Sequence, residues 1–425
     1  MHYHDEIEWT PEVWGKLEQW VPHAQWVANS VDSTLISSDL ATLFNILGNY
    51  NAVILSNYEK AIALYENGIE IHEHLAGPGN HLDLALILCN AGETLGYLSQ
   101  HEKARFHLEK SLQICAEGCK DHPVPLLAHI YTHLGAASYS SAQPKKARQY
   151  LEKSLELHKK IYGETPHPST SEALRWLSAC CKRFGDCKSS LKYGKEALEI
   201  NQEFYKFKPN VKLANIYGTL GEIYYDMGDL EKALKFHQQA LDLCFKLHPT
   251  GVHIQFLYTL LQLGTDYDAV GNHKMAIECF DKTAELHQKL FKDEITHYCI
   301  WIERLKALAW EHLRENEKAT ECYRASLNAC QKVYGGKKCL ESAYTICLQG
   351  RFLCSLGREA EGILLLEEAK SIFDRLYEGI ATPLCFETLK LMGKIYQRSD
   401  PKKAAAYLEE SERLESQWKS VNLSL

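Results

Sequence analysis

The sequence has no long apolar run, no closely paired metal-type cysteines, no glycine-rich phosphate loop and no excess of positive charge. Each absence removes a class of protein. No stretch approaches the ~18 apolar residues of a membrane-spanning helix; the richest, Leu84–Cys89 and Ile363–Leu366, are far shorter. The start, Met1 to Glu8, has no basic segment followed by an apolar one, so no secretory signal is expected. None of the 15 cysteines stand in C-x-x-C spacing; the nearest pairs are Cys180–Cys181 and Cys115/Cys119. That scatter fits neither a zinc framework nor a secreted disulfide framework. Free cysteines used as small core residues in a reducing, cytoplasmic compartment account for it, and the sequon Asn422-Leu423-Ser424 is then expected to stay unmodified. The net charge of −8 and pI near 6.2 argue against a surface that binds nucleic acid throughout.

Catalytic signatures are missing as well. There is no G-x-S-x-G, H-E-x-x-H or G-x-G-x-x-G, and Gly335-Gly336-Lys337 lacks the upstream glycine and following Ser/Thr of a phosphate-binding loop. His72, His74 and His81 read as surface histidines near an inter-repeat loop, because H-x-H on a helix turns the two rings apart. His2, His4 and Asp5 sit at a terminus, and Cys180, Cys181 and Cys187 read as core packing. No catalytic residue, cofactor or metal is expected.

What the sequence does have is a repeat. With 45% apolar and 24% charged residues it resembles an average soluble chain, and 425 residues would suggest about three domains. Self-comparison replaces that estimate. Small residues recur at Ala61, Ala104, Ala147, Ser190, Ala233, Ala276, Ala319, Gly362 and Ala404, at seven intervals of 43 residues and a last one of 42. A second set runs in step: Asn49, Gly92, Gly135, Ser178, Gly221, Gly264, Ala307, Gly350 and Gly393. A third follows each anchor by seven residues: Gly68, Ser111, Ser154, Ala197, Ala240, Thr283, Ser326, Ala369 and Ser411. Between them lie amphipathic stretches of helical period, such as Ile216, Leu220, Ile223 and Tyr224. Small residues belong where two helix axes cross closely. Asp229 reads as an N-cap, and Pro144 and Pro401 as first-turn prolines. A single hairpin cannot bury its apolar face, so stacked neighbours must share one core.

This pattern resembles the tetratricopeptide repeat, with the small positions on Gly221, Ala233 and Ala240 and aromatic positions at Tyr224 and Phe280. The usual unit is about 34 residues. The longer period, with Ile161-Tyr162-Gly163 and His167-Pro168 between units, is similar to the kinesin-light-chain type. The resemblance implies an all-α, right-handed superhelical solenoid of about nine hairpins over residues 39–418, with first helices lining the concave side. The fourth unit (Ser178, Ser190, Gly194) and the eighth (Gly362) depart from it, and looser packing is expected there.

Residues 1–38 precede the array and carry Trp9, Trp14, Trp20 and Trp26; residues 419–425 form a short tail. Thr10-Pro11 reads as a helix start and Pro22 as its break or kink. Val13 to Ala24 is similar to the segment preceding repeat arrays in NB-ARC signalling ATPases of the STAND class, where the array acts as sensor. A helical cap on the first repeat is the simpler reading of the tryptophans.

The concave stripe is apolar in the first two units, at Leu43, Ile46, Tyr50, Val53, Leu86 and Cys89. Either the N-terminal segment or a hydrophobic peptide is expected to cover it, the former being favoured. Further on the stripe becomes polar and aromatic, and the expected partner-binding residues are Tyr139, Arg175, Lys182, Asn215, Glu222, Tyr225, Tyr258, Trp301, Arg304 and Arg351. Interleaved basic and aromatic groups suit an extended protein or peptide partner, including an acidic one. The expected function is a non-enzymatic interaction scaffold. The alternatives are a sensor or autoinhibitory module of a STAND-type ATPase and, against the −8 charge, an RNA-binding helical repeat.

Overall fold

A computed structural model describes residues 11–30, 37–55, 57–75, 81–98, 100–118, 124–141, 143–377, 383–397 and 399–422. A first helix, α1 (Pro11–Ser30), is followed by helices in pairs. The pairs are α2 (Ser38–Asn49) with α3 (Tyr58–His74), α4 (His81–Tyr97) with α5 (His101–Gly118), and α6 (Val124–Ser140) with α7 (Pro144–Tyr162). Then come α8 (Pro168–Arg183) with α9 (Cys187–Tyr205), α10 (Val211–Asp226) with α11 (Leu230–Leu247), and α12 (Ile254–Ala269) with α13 (His273–Phe291). The last are α14 (His297–His312) with α15 (Asn316–Tyr334), α16 (Leu340–Ser355) with α17 (Glu359–Tyr377), and α18 (Pro383–Tyr396) with α19 (Pro401–Asn422). No strand occurs among the described residues, and the all-α repeat of nine hairpins expected from the sequence is what they form. Two compact units divide the chain: residues 1–180, 193–216 and 242–253, and residues 181–192, 217–241 and 254–425.

The turn inside each hairpin is written into the sequence. Asn57, Asp186, Asp229, Asn272 and Asp400 each accept the backbone N–H three residues on, at 2.9–3.4 Å, and so cap the second helix. One residue earlier the chain takes positive φ at Gly185, Gly228, Gly271 and Gly357; Arg314 holds the same place at φ 60. α7 and α19 begin on Pro144 and Pro401, where a missing N–H costs nothing.

The small anchors mark real helix crossings. A Cβ at Gly92, Gly135, Gly264 or Gly393 would stand 2.4–2.7 Å from Leu108, Leu151, Phe280 or Leu408, which lie four residues after Ala104, Ala147, Ala276 and Ala404 respectively. The third set closes the crossing with a hydrogen bond. Ser111, Ser154, Ser326 and Ser411 donate to the carbonyls of Ala85, Ala128, Ile300 and Phe386 at 2.6–3.0 Å. In the fourth hairpin the hydroxyl changes sides: Ser171 on α8 donates to Ala197 O on α9 at 2.8 Å.

Two expectations are corrected. The eighth hairpin is tight: a Cβ on Gly362 would stand 2.7 Å from Gly350 O and 2.4 Å from Cys354 Sγ, so glycine there permits a closer approach. In the first hairpin the contacting residue is Gly48, not Asn49, with an ideal Cβ 2.4 Å from the Tyr65 ring. The Gly48–Ala61 spacing is one residue longer than Gly92–Ala104, and a π-helical turn at Tyr50–Ile54 takes up the extra residue.

The cysteines behave as core residues. None of the fourteen described is in a disulfide, and ten of them, including Cys180, Cys181 and Cys187, are buried. His72, on α3, is also buried, with neither ring nitrogen hydrogen-bonded; it is not a surface histidine. α1 runs on through Pro22. Among the described residues no helix is long and apolar enough to cross a membrane.

Candidate partner-binding face

All ten residues expected on the binding stripe are half-buried. In the first unit, Tyr139 packs its ring 5.8 Å from Trp176, and the Arg175 guanidinium lies 4.2 Å over the same indole. Arg175 also grips Glu172 through Nη2–Oε1 at 2.5 Å and Nε–Oε2 at 3.2 Å. Burial works to raise the Glu172 carboxyl, but the guanidinium outweighs it and holds it at about 2. Asn215 is also in this unit, on α10.

The second unit holds the rest. Lys182 is paired with Glu222, which also accepts from Gln262 Nε2, and Asp226 stands 3.9 Å from the same ammonium. Trp301 Nε1 and Arg304 Nη1 both donate to Glu341 Oε2, at 2.9 and 2.7 Å. Burial pushes the Glu341 carboxyl up, yet the Arg304 charge and these two donors bring it below the ordinary carboxylate range. Tyr344 lies under Arg304 at 5.7 Å, and Arg351 reaches Glu387 at 3.6 Å. Tyr258 rests against Gly218, 3.4 Å from an ideal Cβ there. Burial, with Asp226, Asp266 and Asp268 nearby, raises the Tyr225 hydroxyl.

The structure therefore joins Tyr139 to Arg175 through Trp176, Lys182 to Glu222, and Trp301 to Arg304 through Glu341. Asn215, Tyr225, Tyr258 and Arg351 are not among these linked groups. Each of the four basic groups faces a carboxylate, so their charge is neutralised locally. Lys182–Glu222, Gln262–Glu222 and Trp301–Glu341 share a separation of 40 residues, one helical turn short of the period. A search of the sequence at that offset would have found Glu341 and Gln262.

The apolar stripe is less open than its composition suggests. Tyr50 and Cys89 are buried, and Leu43, Ile46, Val53 and Leu86 half-buried. His253, in the turn before α12, brings Nε2 to 3.4 Å from Val53 O. Trp20 and Trp26 on α1 are 69% and 70% exposed; the side chains of Trp9 and Trp14 lie outside the described residues.

The tetratricopeptide-repeat model matches residues 39–117, 126–203 and 212–289, more than half of the chain. The chain belongs to the tetratricopeptide-repeat family. Among solved structures, a Rap protein complexed with Competence and Sporulation Factor is 14% identical, covers 91% of this chain and 100% of its own, and superposes with a TM-score of 0.64. NprR in complex with its cognate peptide NprX is 16% identical, with coverage of 91% and 98% and a TM-score of 0.56. A putative kinesin light chain from Podosopora anserina is 18% identical, covering 49% and 97%, at a TM-score of 0.37. At these identities the likeness is one of fold. No curated protein matches the chain. The repeat model starts at residue 39 and does not cover Val13 to Ala24.

Proposed function

We propose that this tetratricopeptide-repeat chain is a non-enzymatic scaffold that binds a protein or peptide segment along the first helices of its hairpins, with residues 1–38 a helical cap, 39–418 the array and 419–425 an end segment into which α19 continues as far as Asn422. The reading rests on two preformed clusters of half-buried aromatic and paired charged groups, one in each unit: Trp176–Arg175–Glu172 and Trp301–Glu341–Arg304. Such groups are already fixed, so little side-chain entropy is lost when a ligand lies on them. The similar folds of Rap, complexed with Competence and Sporulation Factor, and of NprR, complexed with its cognate peptide NprX, support the peptide class. An acidic ligand would have to displace Glu172, Glu222, Glu341 or Glu387 from its basic partner. Polar and aromatic complementarity is therefore the better-supported basis of recognition than net charge, and the −8 balance speaks against RNA.

A peptide-display library selected on the full chain, followed by calorimetry, tests the reading. Trp301→Ala and Arg351→Ala should each weaken a selected peptide by about tenfold or more, with helicity unchanged. Full affinity in both would remove this face from consideration.

A second reading makes α1 a junction to a nucleotide-binding partner domain of STAND type, with the array as sensor. The exposed Trp20 and Trp26 favour it, since a docked domain would cover them. Co-purification of the chain with a separately expressed NB-ARC domain, lost on Trp20→Ala/Trp26→Ala, is the expected result; no association would refute it.

A further inference from the structure

We propose that Glu93, His129 and His133 form a binding site for a borderline divalent cation of the zinc class. The site is independent of the peptide reading. His129 and His133 lie four residues apart on α6, one helical turn, so their rings leave the same face. Their Nε2 atoms face each other at 3.1 Å, with ring centroids 4.3 Å apart. Glu93, on α4 of the preceding hairpin, brings Oε2 to 3.5 Å from His133 Nε2. One donor atom from each residue lies within 4.8 Å of the other two. All three residues belong to the first compact unit.

The geometry suits a metal better than it suits the side chains alone. An ion about 2.1 Å from each of three tetrahedral ligands holds them about 3.4 Å apart, close to the 3.1 and 3.5 Å found here. Without an ion, two imidazoles meet nitrogen to nitrogen, which neutral rings tolerate only when one Nε2 carries the proton and the other is bare. Two nitrogens and one carboxylate oxygen make the donor set of Zn²⁺, Co²⁺ or Ni²⁺, not of Ca²⁺ or Mg²⁺. His129-Ile130-Tyr131-Thr132-His133 lacks the glutamate that follows the first histidine in H-E-x-x-H, so the site is not that protease motif; its carboxylate comes from another hairpin. Glu172 stands nearby but is committed to Arg175. Lys212, within Coulombic range of Glu93, opposes an added cation and tempers affinity. At least one coordination position is left for water or a ligand group.

A second cluster shows the contrast. Asp268 Oδ1 accepts from His273 Nδ1 at 2.7 Å and from His312 Nδ1 at 3.1 Å, so hydrogen bonds alone explain that arrangement. It serves as the control.

The test uses the full chain, stripped with a chelator and titrated with Co²⁺, then with Zn²⁺ against a chromophoric competitor. Wild type should bind one equivalent with visible d–d absorption and no thiolate charge-transfer band. His133→Ala and Glu93→Gln should each lower Zn²⁺ affinity by about tenfold or more, while His312→Ala leaves it unchanged. Glu93→Gln is nearly isosteric, and apo-state helicity and melting checks the fold of each variant. Binding that is absent from wild type, unchanged in both site variants, lost in His312→Ala, or marked by thiolate absorption overturns the proposal.

Discussion

The crossing of α10 and α11 contains a test of how buried polarity is held in this repeat. Elsewhere an apolar side chain covers the first-helix glycine, Leu151 over Gly135 and Phe280 over Gly264; in the fifth hairpin His237 covers Gly221. His237 Nδ1 stands 2.6 Å from Asp266 Oδ2 and Nε2 stands 3.2 Å from Gly218 O, with both side chains 1% exposed. Burial raises the Asp266 carboxyl despite the hydrogen bond from His237, and its Oδ1 has no partner. Replacing His237 by Phe keeps the ring and orphans the carboxylate. Removing one member of a buried pair costs about 3–5 kcal/mol. Protonation sets a ceiling: neutralising a carboxyl of ordinary pKa 3.8 at pH 7 costs about 4 kcal/mol. We expect His237→Phe to destabilise α10–α13 by about 3–4 kcal/mol at pH 7. The loss should shrink on acidification towards pH 4, because a raised folded pKa gives stability that is full below the unfolded pKa and disappears as pH rises through the folded one. The double variant His237→Phe/Asp266→Ala, which installs the Phe280 and Ala309 solutions of later hairpins, should return to within about 1 kcal/mol of wild type. Urea unfolding with hydrogen exchange at α11–α13 amides measures this locally, which matters because a repeat array need not unfold in one step. A double variant as unstable as His237→Phe, or a single-variant loss independent of pH, would refute the reasoning.

Burial pushes the Glu311 carboxyl up to about 7 although the Tyr323 hydroxyl donates to it and His312 and Arg351 lie near; its stabilising contribution is full below pH 4.5 and lost on the way to 7. Wild type should therefore lose up to about 3 kcal/mol across that window relative to Glu311→Gln, read from urea midpoints at each pH. Arg314→Gly should stabilise by about 1 kcal/mol, since Arg314 holds φ 60 where four hairpins use glycine; a lower melting temperature would contradict this. Gly135→Ala, whose Cβ would meet Leu151 Cγ at 2.5 Å, should cost about 1–3 kcal/mol, while Gly96→Ala, with nothing within 4 Å, should gain about 0.5–1 kcal/mol. Equal melting temperatures for the two variants would sink the crossing argument.

Periodicity made the hairpins legible because it reflects backbone requirements that every unit repeats. Asp229, Gly271 and Pro144 satisfy a cap, a positive φ and a first turn using only nearby atoms, and such residues can be interpreted one at a time. The pairing of the stripe could not be read that way. Arg175 reads from the sequence as a binding group on the stripe, whereas in the fold Glu172, three residues before it, is its bidentate partner. Glu341 lay outside the stripe as the period draws it, yet it takes both Trp301 and Arg304 because a side chain reaches one turn past its own register.

The first hairpin shows where period counting itself fails. A strict 43-residue ruler puts Asn49 at the crossing, but the chain has one residue more between crossing and anchor, and the α-helix cannot drop it without rotating every later side chain by about 100°. The π-helical turn at Tyr50–Ile54 absorbs that residue, keeps Gly48 under Tyr65, and buries Asn51 with its amide on Leu47 O at 2.8 Å. The cost is local, with Asn51 Oδ1 left unpaired in the core. The gain is that the helix on either side stays in register with its neighbours, so Tyr65 still reaches Asn49 Oδ1 at 2.6 Å and α3 still meets α4. An insertion in a repeat array is thus tolerated where one helical turn can widen, and the glycine under the aromatic ring marks the crossing more faithfully than the count of residues between anchors.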